Sequence, residues 1–265
     1  MLLRNPFGKA LRDGRRGLFG WALAIGGIAA MYTSFFPSIS NPSMAAAIRN
    51  YPEALKKTFA IQDLSTPQGY LGSYVFGLLV PVLLAVFMIV NGAKAVAGDE
   101  ESGTLDLVLA HPVSRPRLLL SRFAALVTQV LVVCAVLYLL LLALAGPTKT
   151  ATIGAGHLAA ATVQLALFGI CFGALTLGVG AATGRRAAAI SVGTGVAVLG
   201  YFANNLAPQV RGLEWARYLS PFYYLSGNHP LANGLSLAYC AVLIGAAAVL
   251  AAGGLAAFRA RDLAV

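Results

Sequence analysis

Nine acidic side chains, three histidines and three cysteines are the residues in this chain of 265 whose spacing could mark metal, thiol or carboxylate chemistry. Their spacing supports none of it. His111, His157 and His229 stand at the ends of apolar stretches or between them, with no HExxH pair to hold zinc. Cys134, Cys171 and Cys240 each lie inside an apolar stretch, far apart and without CxxC spacing, as small buried side chains do. No GxSxG nucleophile elbow and no GxxxxGK[ST] phosphate loop occurs. The chain therefore reads as no enzyme by itself, unable to hydrolyse ATP alone, with no metal, cofactor or catalytic residues of its own. A copper role finds no ligand ladder in four methionines and three scattered cysteines.

The charges that do occur avoid the apolar cores. Asp13, Glu53, Asp63, Asp99, Glu100, Glu101, Asp106, Glu214 and Asp262 all lie outside them, and among the bases only Lys94 approaches one, near enough to its end to snorkel out. A charge at the bilayer centre costs roughly 2.5–3.5 kcal/mol and is kept there for ion or proton coupling. Its absence argues against a pump or proton-coupled transporter working within this chain. Milder polar residues, Asn91, Thr128, Gln129, Gln164, Thr194, Asn204 and Asn205, suit hydrogen bonds between helices.

The elements that carry these residues follow from composition. With 58% hydrophobic and 11% charged residues, the chain lies far from the roughly 25% charged content of soluble domains. Runs of about 20 apolar residues can cross about 30 Å of hydrocarbon. The expected fold is an all-α integral membrane protein, one permease-like domain over 1–265, with six spans at about 17–36, 73–97, 118–145, 157–183, 187–206 and 235–258. The first is long enough to be a span rather than a removable signal. Placing both termini inside puts thirteen bases in the cytoplasm, Arg4, Lys9, Arg12, Arg15, Arg16, Lys94, Arg115, Arg117, Arg122, Arg185, Arg186, Arg259 and Arg261, against six outside. That asymmetry sets the expected topology. The net charge of +10 is thus a topology signal, and no nucleic-acid partner is expected.

Between the spans, four local expectations arise. Residues 1–16, with Asn5 as N-cap, Pro6 in the first turn and Phe7, Ala10 and Leu11 on one face, read as an interfacial helix. The long loop 37–72 holds two short helical stretches separated by Pro52. The GRR link after the fourth span is short enough to make spans four and five antiparallel neighbours. Residues 207–234, rich in aromatics but broken by Pro221, Gly227, Pro230 and Gly234, read as re-entrant or interfacial, with Trp215, Tyr218, Tyr223 and Tyr224 at headgroup level. Gly169 and Gly173, followed by Gly178 and Gly180, offer close helix packing.

The remaining stretch, 98–117, is polar between two apolar spans. Thr104 can N-cap a short helix with Asp106 in its first turn, and Leu105, Val108 and Leu109 share one stripe. Pro112 ends it, and Ser114 and Pro116 restart a helix. Two turns are marginal alone, so the stripe needs something to pack on. Anionic lipid would repel Asp99, Glu100 and Glu101, which favours a protein groove.

These residues carry a resemblance. The run formed by Glu101, Gly103, Thr104, Leu105, Leu107, Leu109, Ala110, Pro112, Val113, Ser114 and Arg115 resembles the signature of ABC-2-type transporter permeases. YLSPFYYLSGNHPLANG before the last span, with Ser220, Pro221, Phe222, Tyr223, Tyr224 and Pro230, is similar to that family's outer segment, and FRARDL to its basic C-terminal end. The resemblance implies a six-span permease of an ABC exporter. It would pair with a second permease copy or paralogue and bind two copies of a separate ABC ATPase subunit that holds ATP and Mg. It further implies that 98–117 is the coupling region, in which Glu101, Gly103, Thr104, Leu105, Val108 and Leu109 meet the ATPase and Arg115 anchors the restart. The alternative is an ATPase-linked scaffold that transmits force to an envelope process without carrying substrate. The apolar spans suit a hydrophobic or amphipathic cargo.

Overall fold

A computed structural model of the chain describes residues 6–40, 64–103 and 114–261. Among the described residues every regular element is helical, and six helices are long and apolar enough to cross a membrane. They are α1 (Pro6–Ile39), α2 (Pro67–Glu101), α3 (Arg115–Leu144), α4 (Ala155–Thr183), α5 (Arg186–Asn205) and, after two short helices α6 (Pro221–Ser226) and α7 (Pro230–Asn233), the last span α8 (Leu237–Ala260). The chain is an all-α integral membrane protein. The helical stretches expected around Pro52 lie outside the described residues.

The bundle is built around α4. In its most apolar window 72% of residues are buried, against 11% for α5, so α4 is the core and α5 a peripheral staff. Small residues make this possible. A Cβ at Gly169 would strike Val130 and Leu84, and one at Gly173 would strike the Met88 side chain, so α2 and α3 approach the α4 backbone itself. On the opposite face Gly178 meets Gly254 of α8 backbone to backbone. Lipid tails are as apolar as leucine, so such close dispersion contacts hold membrane helices together. The glycine spacing expected to mark helix contacts does so here. Thr176 and Thr128 return their hydroxyls to their own helices, to the carbonyls of Phe172 and Ala124 at 2.9 Å, which removes the cost of an unmade bond in an apolar setting.

Two expected boundaries shift. The separate interfacial helix over 1–16 is absent as a unit, because α1 runs unbroken from Pro6 to Ile39. No proline interrupts it between those expected pieces, and the Gly14 turn packs against Gln129 of α3, which carries the helix through its charged segment. α2 starts earlier than expected, where the Thr66 hydroxyl accepts the Gly69 N–H at 3.1 Å. It then widens into π-helical turns over Leu71–Leu79, just before Pro81, which has no N–H to donate. The short link between α4 and α5 is as expected: Gly184, in the left-handed region at φ 67°, turns the chain and α5 begins at Arg186.

At one end of the bundle the end of α2 and the first turns of α3 are flanked by the start of α1 on one side and the end of α8 on the other. Among the described residues, Lys149, Arg211 and Arg217 are the bases at the opposite end.

Candidate functional site

α2 ends in three consecutive carboxylates. Successive helical residues point about 100° apart, so Asp99, Glu100 and Glu101 face three directions and reach three different helices. Asp99 forms an ion pair with Arg122 of α3. Glu100 pairs with Arg261, one residue beyond α8. Glu101 accepts the backbone N–H of Arg186 at 2.8 Å and so caps the first turn of α5, where helical N–H groups have no partner of their own. A second set of π-helical turns, Lys94–Gly98, directly precedes this trio.

On the far side of the loop, Arg115 opens α3 and reaches back to the end of α8. It donates to the Arg261 carbonyl at 2.8 Å and the Phe258 carbonyl at 3.4 Å, with its guanidinium 6.0 Å from the Phe258 ring centre. The last carbonyls of a helix are unpaired and form the negative end of its dipole, so a guanidinium belongs there. Arg261 in turn donates to Ala181 of α4 at 3.2 Å. The two ends of the loop are therefore tied to α3, α4, α5 and α8 by charged groups, several of them screened from solvent. Arg122 keeps only 9% of its side chain exposed, where ion pairs are little weakened by water.

Of the residues assigned to coupling from the sequence, Glu101, Gly103 and Arg115 are seen, and Thr104, Leu105, Val108 and Leu109 lie outside the described residues. Glu101 faces α5 within the same chain. Gly103 takes a left-handed backbone at φ 66° and its N–H closes on the Glu100 carbonyl at 3.0 Å, ending α2. Ser114 stands at the N-cap position of α3, but its hydroxyl makes no capping bond; Pro116 in the first turn begins the helix. The intramolecular partners Arg122, Arg186 and Arg261 entered the sequence reading only as topology charges. Beside the trio a polar cleft of about 190 Å³ opens between α1, α2 and α3, edged by Asp13, Asn91, Lys94, Asp99, Arg122 and Gln129.

At the opposite end, residues 220–234 fold back into the bundle. The Ser220 hydroxyl donates to the Gly200 carbonyl at 2.7 Å and accepts the Phe222 N–H at 3.1 Å. Gly200 lies about 8 Å along α5 from its last residue, so this contact is inside the helical layer. Phe222 is buried edge-on against Phe168 and Tyr201, with ring centres 4.8 and 5.5 Å apart. The Gln164 amide donates to the Tyr224 carbonyl at 3.1 Å and to Asn228 at 3.0 Å, so this span polar residue holds the returning segment. Pro230, also buried, starts α7. Tyr223 and Tyr224 join Tyr218 and Tyr239 in one cluster of rings. Arg217 lies over it, 4.7 Å from the Tyr218 ring centre and 5.5 Å from that of Tyr223, and donates to the Tyr218 hydroxyl at 2.6 Å, a bond that raises its pKa further. Residues 220–234 are thus folded back between the helices, with an aromatic rim.

Among the described residues no group of three metal-ligating side chains converges. What the first end can do is mechanical: it joins the loop to most of the bundle. A family described as "Multidrug efflux system permease Rv1217c, C-terminal domain" matches the chain over residues 3–259. Among curated proteins none matches it.

Proposed function

Because the chain belongs to this efflux-permease family, we propose that it is the membrane subunit of an ATP-driven exporter of ABC-2 type, moving hydrophobic or amphipathic compounds out across the cell membrane. The observation that carries the reading is the tethering of both ends of the loop 104–113, by Asp99, Glu100 and Glu101 on one side and Arg115 on the other. The chain has no phosphate-binding loop, so the energy comes from a separate ATPase. In this reading Leu105, Val108 and Leu109 form the stripe that seats in a groove of that ATPase. Two ATPase copies, holding ATP and Mg, act on two permeases, the second a copy or a paralogue. Closure of the ATPase pair pushes the loop, and the ion pairs to Arg122 of α3 and to Arg261 after α8, with the Glu101 cap on α5, turn a local push into movement of helices as bodies.

The end bearing the loop is cytoplasmic, with both termini. The bases at that end support this topology, since cytoplasmic flanks carry the Lys and Arg excess. The test is reconstitution of the permease with its ATPase in vesicles. ATP-dependent movement of an apolar dye or drug is the expected result, and Leu105→Asp or Leu109→Asp should insert normally yet lose the ATPase on co-purification. Turnover of ATP with no compound moved would favour a force-transmitting scaffold, and recovery of the complex from both variants would remove the coupling role of the loop.

A further inference from the structure

Between α4, α5 and α8 lies a cleft of about 410 Å³, walled by Phe172, Leu175, Val196, Val242, Ala246 and Leu250. Its roof is the segment after α5: Tyr218, Leu219, Pro221 and Tyr224. From Val242 to Leu250 a helix rises about 12 Å, so the cleft runs from the aromatic rim toward the middle of the bundle. No charged side chain lines it. Water gains nothing in such a space, and walls without neighbours forfeit dispersion contacts, so the cleft suits an apolar group. The volume falls at the small end of ligand pockets, which suits one alkyl chain rather than two.

The mouth adds a charge. Arg217 stacks on Tyr218, a roof residue, and spends one nitrogen on the Tyr218 hydroxyl. Among the described residues no carboxylate forms an ion pair with it, and its Nε is buried without a hydrogen-bond partner. An aromatic cluster alone would attract a cation. Here the faces of Tyr218 and Tyr223 are already taken by a guanidinium, so the site repels cations and offers N–H donors to an anion.

We propose that this cleft binds an amphipathic anion, with a single alkyl or acyl tail between α4, α5 and α8 and a carboxylate or phosphate on Arg217. Binding requires no ATPase, so it stands or falls apart from the coupling role above. The experiment uses the full-length permease in phosphatidylcholine nanodiscs without ATPase. The probes are a diazirine-bearing long-chain fatty acid and its methyl ester, with crosslinked peptides mapped by mass spectrometry. The acid should label the α8 segment around Ala246 saturably and the ester weakly. Arg217→Gln should weaken the acid about tenfold, the scale of one charge-assisted hydrogen bond, and leave the ester unchanged. Ala246→Trp should fill the cleft and abolish labelling by both; should that variant not fold, the Arg217→Gln comparison decides alone. Competition by excess free fatty acid would identify a free amphiphile as the source, and competition by phosphatidylglycerol alone a bilayer lipid; either supports the site. Equal labelling by acid and ester, or no response to Arg217→Gln, overturns it. So does a disulfide between two copies through Val242→Cys that excludes the probe, since a second permease would then fill the cleft.

Discussion

The Glu101 carboxylate accepts the Arg186 backbone N–H at 2.8 Å, so the last residue of one transmembrane helix caps the first turn of another 85 positions away. The end of α2, from which the loop departs, is therefore tied directly to α5, which otherwise buries little of itself in the bundle.

Removing that cap should loosen α5 first. Glu101→Ala is expected to cost about 1 kcal/mol, the usual worth of an N-cap acceptor. Hydrogen exchange of the amides at Arg186 to Ala189 should accelerate while the middle of α5 keeps its protection.

The Asp99–Arg122 pair should behave asymmetrically. Asp99→Ala leaves a nearly buried guanidinium without its counter-ion, a change that costs about 3–5 kcal/mol. Adding Arg122→Met removes the orphaned charge and should recover most of the loss. Thermal unfolding in detergent, compared across the single and double variants, measures both.

The α4–α8 contact rests on two glycines facing each other. Gly254→Val should push Gly178 away and lower the unfolding temperature sharply, because backbone stands where the side chain would go. Gly253→Ala, one residue earlier, meets open space and should leave it unchanged or slightly raised. Similar losses from both would mean that the close approach is not what holds α8.

Topology can be read with single added thiols, since Cys134, Cys171 and Cys240 are buried. In intact cells a membrane-impermeant maleimide should label Arg211→Cys and spare Ser102→Cys, which becomes reactive once the membrane is opened. The reverse pattern would invert the cytoplasmic assignment of the loop.

Much of this was legible from the chain itself. Charge-free runs announced the spans, because lipid admits only backbones that satisfy their own hydrogen bonds. The Gly169 and Gly173 spacing marked a packing face, and the proline-broken aromatic stretch after α5 marked a segment neither loop nor span. The boundary between the interfacial helix and the first span was not legible, since α1 runs on from Pro6 to Ile39. The Asn5 cap, Pro6 and the Phe7, Ala10 and Leu11 face marked where a helix starts but not that it continues past Gly14, which packs on Gln129.

Composition and periodicity alone determined that this is a six-helix membrane protein, since the hydrocarbon sets the length and polarity of whatever crosses it. Only the tertiary structure decided what the acid trio does. Read along the chain, Asp99, Glu100 and Glu101 are one negative cluster awaiting a partner. In three dimensions the helical turn sends each to a different helix, and their partners, Arg122, Arg261 and the Arg186 N–H, come from positions that no local pattern links to them.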